Sequence, residues 1–439
     1  MNNAPSVRQR IYEMLMESQY WPPEQMLAFQ RSQLEQLLRH AKATVPFYKS
    51  RLDAVFKKNG EIDWDRWNEI PIVTRAILRD RRKELLATAL PPGHGPTKEF
   101  STSGSSGVPV TVRVTAIAAA ARRAAHMRFN TLHALDLDSC RASFDFPREF
   151  RDWDHVLRNK KDEPIAGLKH GTRCITMKVS TEASDTDKLS ALKKGKATIL
   201  SSLPNDIEII ARKNLHLRLR DRLKLEKIVC FGQGATEEQR ALFLNSFAAK
   251  TIEIYSSKEG GLIACQCTTD THFHIDAELV FIEVLNDKNV ACAPGETGRV
   301  VVTPFHSTAQ PLIRYEQGDA ATPGTPCPFG SKLPVLRSID GRQDPIIVLP
   351  GRLATEMHIN KELLNNVLRA EALQVAQVSE LQFELRYVAK RLATPADKRK
   401  ITKHLREVLH SALSVSYKKV KEIPRNAGGK QQRFVREFA

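Results

Sequence analysis

From Ile11 to Phe56 apolar residues recur at the i, i+3, i+4 spacing that one face of a helix requires. Two breaks interrupt this run, at Trp21-Pro22-Pro23 and at Val45-Pro46-Phe47-Tyr48, where proline removes the backbone donor that a helix needs. The leader, residues 1–95, is therefore expected to be helical and to serve packing. The period then changes. Val110, Val112 and Val114 alternate with Thr111, Arg113 and Thr115, which predicts a half-buried strand directly after a Ser/Gly-rich loop.

Between Lys196 and Ser257 short apolar runs alternate with helical stretches. The order is a strand at Lys196 to Leu200, a helix entered at Pro204-Asn205, a strand at Lys227 to Gly232, a helix from Thr236, and a strand at Thr251 to Ser257. Such alternation with short connections predicts a parallel sheet. Two further strands, Glu278 to Val284 and Arg299 to Thr303, flank the turn-rich run Ala293-Pro294-Gly295-Glu296-Thr297-Gly298. Beyond Gly341-Arg342-Gln343-Asp344 the pattern becomes a small α+β unit. It reads as a helix near Lys361 to Ala370, strands at Leu373 to Val378 and Leu381 to Val388, a helix from Pro395 to Leu413 and a closing strand at Val415 to Ile423. The expected fold class is α/β. A large N-terminal domain, 1–343, combines a parallel α/β sheet with a β-rich subdomain in its core, 96–343, and a small α+β C-terminal domain spans 344–439.

The length of 439 residues fits this division, since it exceeds what one hydrophobic core usually supports. No stretch approaches the roughly 20 uncharged apolar residues of a membrane-spanning helix, so no membrane partner is expected. The N-terminus, Met1 to Leu15, lacks a continuous apolar segment before a cleavage site, and a cytoplasmic protein is the expectation. Seven cysteines, spread from Cys140 to Cys327, suit reduced thiols or a metal site better than a disulfide framework. The net charge of +17 fits substrates rich in phosphate, or equally a plain basic surface. Arg79, Arg81, Arg82 and Lys83 cluster, but no zinc finger, RNP-type motif or basic zipper accompanies them, which ranks phosphorylated small molecules above nucleic acid.

Five segments carry candidate chemistry. The loop Ser101-Thr102-Ser103-Gly104-Ser105-Ser106-Gly107 concentrates hydroxyls and glycines, so that backbone N–H and side-chain O–H groups can surround phosphate oxygens. Alone, it reads equally as a flexible linker. It is no Walker A loop, because no Gly-Lys-Ser/Thr follows and a strand stands where a helix is required. The second segment, Tyr255-Ser256-Ser257-Lys258-Glu259-Gly260-Gly261, closes the last parallel strand at the edge where open α/β sheets place ligands. Tyr255 can cover a purine face and Glu259 can hold Mg²⁺, although a glutamate after a strand is more often only solvated. The third is Pro311-Leu312-Ile313-Arg314-Tyr315-Glu316-Gln317-Gly318-Asp319, where Asp319 can accept from ribose hydroxyls or simply form a turn. The fourth is Gly341-Arg342-Gln343-Asp344. The fifth, Pro424 to Arg433, carries Lys430 after two glycines, as a mobile point charge or as a basic tail.

In this order, from about Gln33 to Arg433, the five segments resemble the superfamily of adenylate-forming enzymes that includes acyl-CoA synthetases, peptide-synthetase adenylation domains and beetle luciferases. Within it, Val45-Pro46-Phe47-Tyr48, Ile70-Pro71-Ile72-Val73-Thr74 and the run Pro294 to Thr303 are similar to the phenylacetate-CoA ligase branch. The resemblance implies an AMP-forming acid–thiol ligase that makes an acyl-adenylate from a small carboxylic acid and ATP and passes the acyl group to coenzyme A. The alternative acceptor is a carrier-protein thiol or an amine. It implies that Ser101, Thr102, Ser103, Gly104, Ser105, Ser106 and Gly107 hold the pyrophosphate end of ATP. Gln233, Gly234, Ala235 and Tyr255 would line the adenine beside Ser256 and Ser257, and Asp319 would take the ribose. Arg342 would contact ribose or phosphate, Glu259 would bind magnesium, and Lys430 would bridge carboxylate and α-phosphate. It further implies that the C-terminal domain is mobile about a hinge at Asp344.

Several positions depart from that pattern. Ser256 stands where glycine is usual, Ala235 where near relatives often carry glutamate, and Glu316-Gln317 where Arg-Thr is usual. Phe144, Phe146 and Phe150 fall in the region that would build the acid pocket and favour an aryl or other flat acid, or ordinary core. Cys265, Cys267, His272, His274 and Cys327 supply soft and borderline donors. A structural zinc on Cys265, Cys267, His274 and Cys327 is one expectation, inert buried thiols the other. A homodimer stays open.

Overall fold

The computed structural model describes residues 5–101, 110–135, 140–145, 156–158, 175–180, 183–232, 234–340, 346–350, 352–355, 359, 361–423 and 434–438. These residues form two compact units, one running to Asp340 and one beginning at Ile346.

The first unit opens with the helices Val7–Ser18 and Pro23–Thr44. Ser6 caps the former by accepting from the Gln9 N–H, and proline at the first position of the latter costs nothing because that N–H has no helical partner. The leader is fastened to the sheet by named groups. The buried Tyr48 hydroxyl donates to the Pro311 carbonyl at 3.2 Å and accepts from the Ile313 N–H at 3.1 Å. Arg314, 1 % exposed, binds Glu283 at 2.9 Å and the carbonyls of Asn68 and Ile70 at 2.8 and 2.9 Å. Val73 forms a parallel bridge with Tyr315. The helical leader thereby positions the start of the strand Tyr315–Pro323.

Among the described residues of this unit the sheet has twelve strands. Its parallel part contains Cys140–Asp145, Ile175–Ser180, Ala197–Ser202, Lys227–Cys230 and Lys250–Ser257. Ala197–Ser202 is buried almost throughout, as a strand covered on both faces should be. The helices Pro204–Lys213 and Glu237–Phe247 alternate with these strands as the sequence pattern predicts, and Thr236 with Gln239 forms a capping box. The direction of pairing then switches. Lys250–Ser257 is parallel to Lys227–Cys230 but antiparallel to Gly261–Gln266, which starts the β-rich half with Val280–Leu285 and Gly298–Pro304. A buried ion cluster holds the helix Ala116–Leu132 against this half: Arg128 donates to Glu278 at 2.6 Å, to Asp276 and to the Leu15 carbonyl. Burial opposes the Arg128 charge, but Glu278 and Asp276 more than offset it and raise its pKa.

The second unit pairs Ser414–Lys419, Gln382–Val388, Ala372–Ser379 and Phe434–Arg436 in that order. The helices Lys361–Leu368 and Pro395–Val408 supply Leu364, Leu368, Ile401 and Leu405 to its core. The second helix ends at Val408, five residues before the expected Leu413, because His410 to Leu413 form a turn that starts the next strand. The hairpin Ile346–Leu349 with Arg352–Thr355 and the short strand Phe434–Arg436 are elements that the apolar pattern does not predict. Segments of three or four residues are too short to show a period of two. Among the described residues no helix is long and apolar enough to cross a membrane.

Candidate active site

The residues singled out on two separate strands meet side chain to side chain. Alternation along Tyr315–Pro323 puts Tyr315, Gln317 and Asp319 on one face. They face Glu259, Ser257 and Tyr255 in reverse order. The Tyr315 hydroxyl donates to Glu259 Oε1 at 3.4 Å, Gln317 Nε2 donates to Ser257 Oγ at 3.0 Å, and the Tyr255 hydroxyl donates to Asp319 Oδ2 at 3.0 Å. Three strands lie between these two in the hydrogen-bonded order, so a flat sheet would hold them roughly 19 Å apart at about 4.8 Å per step. Contact at 3.0 Å means that the sheet curls back on itself. A bulge between Tyr255 and Ser256 helps re-aim the end of the parallel strand, and Ser256 pairs with Leu262 there.

Glu259 is 6 % exposed, and its Oε1 also lies 3.4 Å from the Arg75 guanidinium. Both of these contacts are long for hydrogen bonds and both fall on one oxygen, which suits a carboxylate kept for a cation. Burial, and next the negative charge of Glu259, push the Tyr315 hydroxyl well above its ordinary range, so it stays a donor. The turn itself is gripped by Arg122, whose guanidinium donates to the carbonyls of Lys258 at 2.9 Å and Glu259 at 3.1 Å. Gly261 makes room for that grip. At φ +81° it adopts a backbone that side chains avoid, and a Cβ there would lie 3.0 Å from Arg122 Cγ.

Ser101 ends the strand Thr97–Ser101, which forms an antiparallel hairpin with Thr111–Thr115, the strand that the alternation predicts. Its hydroxyl shares a hydrogen bond with Thr111 Oγ1 at 2.9 Å, and its carbonyl accepts from Lys258 Nζ at 2.5 Å. Lys258 thus places a cation at the foot of the hydroxyl-rich loop. Gly234 lies near the sheet: a Cβ there would be 3.6 Å from Glu253 Oε2 and 3.8 Å from the Ile339 carbonyl. The Ala235 N–H donates to Glu253 at 3.3 Å, and Glu253 is paired with Arg240. Thr102, Ser103, Gly104, Ser105, Ser106, Gly107, Gln233, Arg342, Asp344 and Lys430 lie outside the described residues. Phe144 is 1 % exposed in the core of the parallel half, beside Ile207 and Leu200, and takes the reading of ordinary core; Phe146 and Phe150 are also outside the described residues.

A second cluster sits on the β-rich half. Donor atoms of Cys267, His272, His274 and Cys327 all lie within 4.8 Å of one another. This corrects the expected set, in which Cys265 was a ligand. Cys265 is in the body of a strand and packs with Ala121, Ala125 and Phe129, whereas Cys267 follows the strand end and its N–H donates to the His272 carbonyl at 2.8 Å across a turn. Turn closure brings His272 in. His274 Nδ1 meets Ser331 Oγ at 2.8 Å, which directs Nε2 toward His272 at 3.1 Å. Burial, and then His272, hold His274 down at a pKa of about 4, so it is a neutral donor at ordinary pH. Burial opposes ionisation of Cys267, but hydrogen bonds from Thr269 and the Asp270 backbone outweigh it and lower its pKa. Two sulfurs and two imidazoles make a donor set that zinc accepts in tetrahedral geometry.

Sequence reasoning named Lys258 only in passing and missed Arg75 and Arg122. A basic residue on a helix gives no signal that its head group will grip a distant turn.

No protein-family model and no curated protein matches the sequence. Solved structures do match. The chain is similar to 2-hydroxyisobutyryl-CoA ligase in complex with 2-HIB-AMP and CoA in the thioesterification state, at a TM-score of 0.67 and 16% identity, covering 99% of this chain and 94% of that one. The same enzyme in the postadenylation state with 2-HIB-AMP gives 0.61 at 16% identity, over 99% and 94% of the two chains. Its open conformation gives 0.59 at 16% identity, over 99% and 96%. The chain has the fold of this adenylate-forming ligase.

Proposed function

We propose that the protein is an ATP-dependent, AMP-forming ligase that activates a small carboxylic acid as its acyl-adenylate and transfers the acyl group to coenzyme A. One observation carries the reading most. The three-rung ladder gathers the two segments assigned to nucleotide and magnesium at the carboxyl edge of the parallel strands, where such sheets bind ligands. A fold shared along nearly the whole chain with a CoA ligase supports it.

In this reading Tyr255 covers the adenine, Asp319 takes the ribose hydroxyls, and Ser101 with Lys258 forms the foot of a loop that binds the pyrophosphate end. Glu259 is the magnesium ligand, with Tyr315 and Arg75 fixing its carboxylate. Magnesium supplies charge neutralisation of the phosphates when bound. The rest of the loop to Gly107, the adenine-side Gln233, the ribose or phosphate contact Arg342, the hinge Asp344 and the adenylation lysine Lys430 are assigned on the sequence resemblance. Cys267, His272, His274 and Cys327 are assigned a structural zinc, closed by four protein ligands and so without an open catalytic position.

The test is acid-dependent exchange of labelled pyrophosphate into ATP, followed by CoA-dependent release of AMP. No exchange across a broad panel of carboxylic acids would sink the proposal. Exchange without turnover of CoA would instead select a carrier-protein thiol or an amine as the acceptor.

A further inference from the structure

A cleft opens beside Glu259 in the first unit. Its walls are largely aliphatic, with Val112, Val114, Ala118, Leu262, Leu279 and Leu312 among the lining residues. Polar lining residues are Arg113, Arg122, His306, Ser307 and Gln310, with Glu259 at the boundary to the ladder.

Gln310 is the informative group. It is 1 % exposed, and its Oε1 accepts from the Arg113 N–H at 2.9 Å. A backbone N–H can only donate, so this bond fixes which end of the amide is oxygen. Nε2 is left buried with no acceptor among the described residues. An unmet buried donor is worth roughly five- to 150-fold in an equilibrium constant, so a partner is strongly favoured. His306 does not compete as an anion-binding cation. Burial, and then the nearby His94, hold it at a pKa of about 4, and it is a neutral imidazole. Arg122 brings the one guanidinium that both lines the cleft and grips the Glu259 turn.

Aliphatic walls, the unmet Gln310 donor and the Arg122 guanidinium describe a particular guest. We propose that this cleft seats the acid substrate, an aliphatic carboxylic acid whose carboxyl oxygen accepts from Nε2 of Gln310. The assignment rests on the ligase reading and deepens it. An aryl acid, the expectation from the sequence, is the alternative that titration with benzoate decides.

Calorimetric titration of the full chain with straight and branched aliphatic acids and with benzoate tests this without turnover. Aliphatic acids should bind about tenfold or more tightly than benzoate. The substitution Gln310→Glu keeps an acceptor for the Arg113 N–H while replacing the donor, and should weaken acid binding about tenfold or more with ATP affinity unchanged. Ala118→Leu narrows the cleft without touching the amide and should reject the longer acids while keeping the shortest, which provides a second reading if Gln310→Glu does not fold. Benzoate binding as tightly as the aliphatic acids, or acid affinity indifferent to both substitutions, would overturn the assignment. Acid binding that follows these rules in a chain without pyrophosphate exchange would sink the ligase reading alone. Normal exchange with an unmoved KM for acid in Gln310→Glu would sink the acid seat alone.

Discussion

The hydroxyl of Tyr255 donates to the carboxylate of Asp319 at 3.0 Å, although the two residues are 64 positions apart on strands that do not pair. The bond sets the edge of the Tyr255 ring beside one oxygen of Asp319, the two residues assigned above to the nucleoside. Replacing Tyr255 by Phe keeps the ring and removes that constraint. The KM for ATP should rise about three- to tenfold in pyrophosphate exchange, with the KM for acid unmoved. Asp319→Ala should cost more, because it removes the ribose acceptor itself. Equal changes in both KM values would show that the pair merely supports the fold.

Glu259 gives a sharper test. Its two described contacts are both at 3.4 Å, so the fold gains little from its charge. Glu259→Gln should leave the thermal midpoint within a few degrees yet reduce exchange by about 100-fold or more, with the magnesium requirement shifted to higher concentration. Exchange at a wild-type rate would remove Glu259 from the chemistry.

Much of this was legible in the sequence, and the limits have physical causes. Alternation placed Thr111–Thr115 as a strand, and the Tyr255 to Gly261 turn stood out at the end of a parallel strand, whereas Gly318-Asp319, read as a turn, lies inside the strand Tyr315–Pro323. What alternation cannot reveal is curl. The ladder from Tyr255 to Asp319 exists because the sheet bends, and bending depends on strands far apart in the chain. The Cys/His cluster shows the same limit at short range. Spacing treats Cys265 and Cys267 alike, but one lies inside a strand and the other at the neck of a turn that delivers His272. Gln310 was invisible for a different reason: a glutamine in a loop becomes informative only when one end of its amide is seen to be used.

Zinc content distinguishes the corrected ligand set from the expected one. Protein prepared without chelator should hold about one zinc per chain by elemental analysis. Cys267→Ser and His272→Ala should lose most of it and lower the thermal midpoint, since metal binding adds to folding free energy. Cys265→Ser should keep its zinc. Loss of zinc in Cys265→Ser with full retention in His272→Ala would restore the original set.

Acid should destabilise the protein through its buried histidines. His133 and His306 are both held near pKa 4 from an ordinary value of 6.5, chiefly by burial. Below pH 6.5 the unfolded chain takes up these protons and the folded chain does not, so stability is fully present above 6.5 and is lost as pH falls toward 4. Each shift corresponds to about 3 kcal/mol at most. His133 Nε2 is 2.9 Å from the Gln266 carbonyl, so it donates there as a neutral ring, and His133→Gln keeps a donor without the titration. Urea midpoints measured from pH 7 to pH 4.5 should fall less steeply in that variant. An unchanged slope would mean that His133 protonates alike in both states.

The tail lysine separates the two half-reactions. In-line attack of a carboxylate on the α-phosphorus builds negative charge, and a positioned ammonium lowers that barrier, whereas thiol attack on an acyl-adenylate already made does not need the same group. Lys430→Ala should therefore reduce acid-dependent pyrophosphate exchange by about 100-fold or more. Conversion of a supplied acyl-adenylate and CoA into thioester should continue within a few-fold of the wild-type rate. Single-turnover assays of each step on the same preparation check this, because a folding defect would depress both rates together. Equal loss in the two assays would deny Lys430 a role confined to adenylation and, with it, the idea that one chain presents different groups to the two steps.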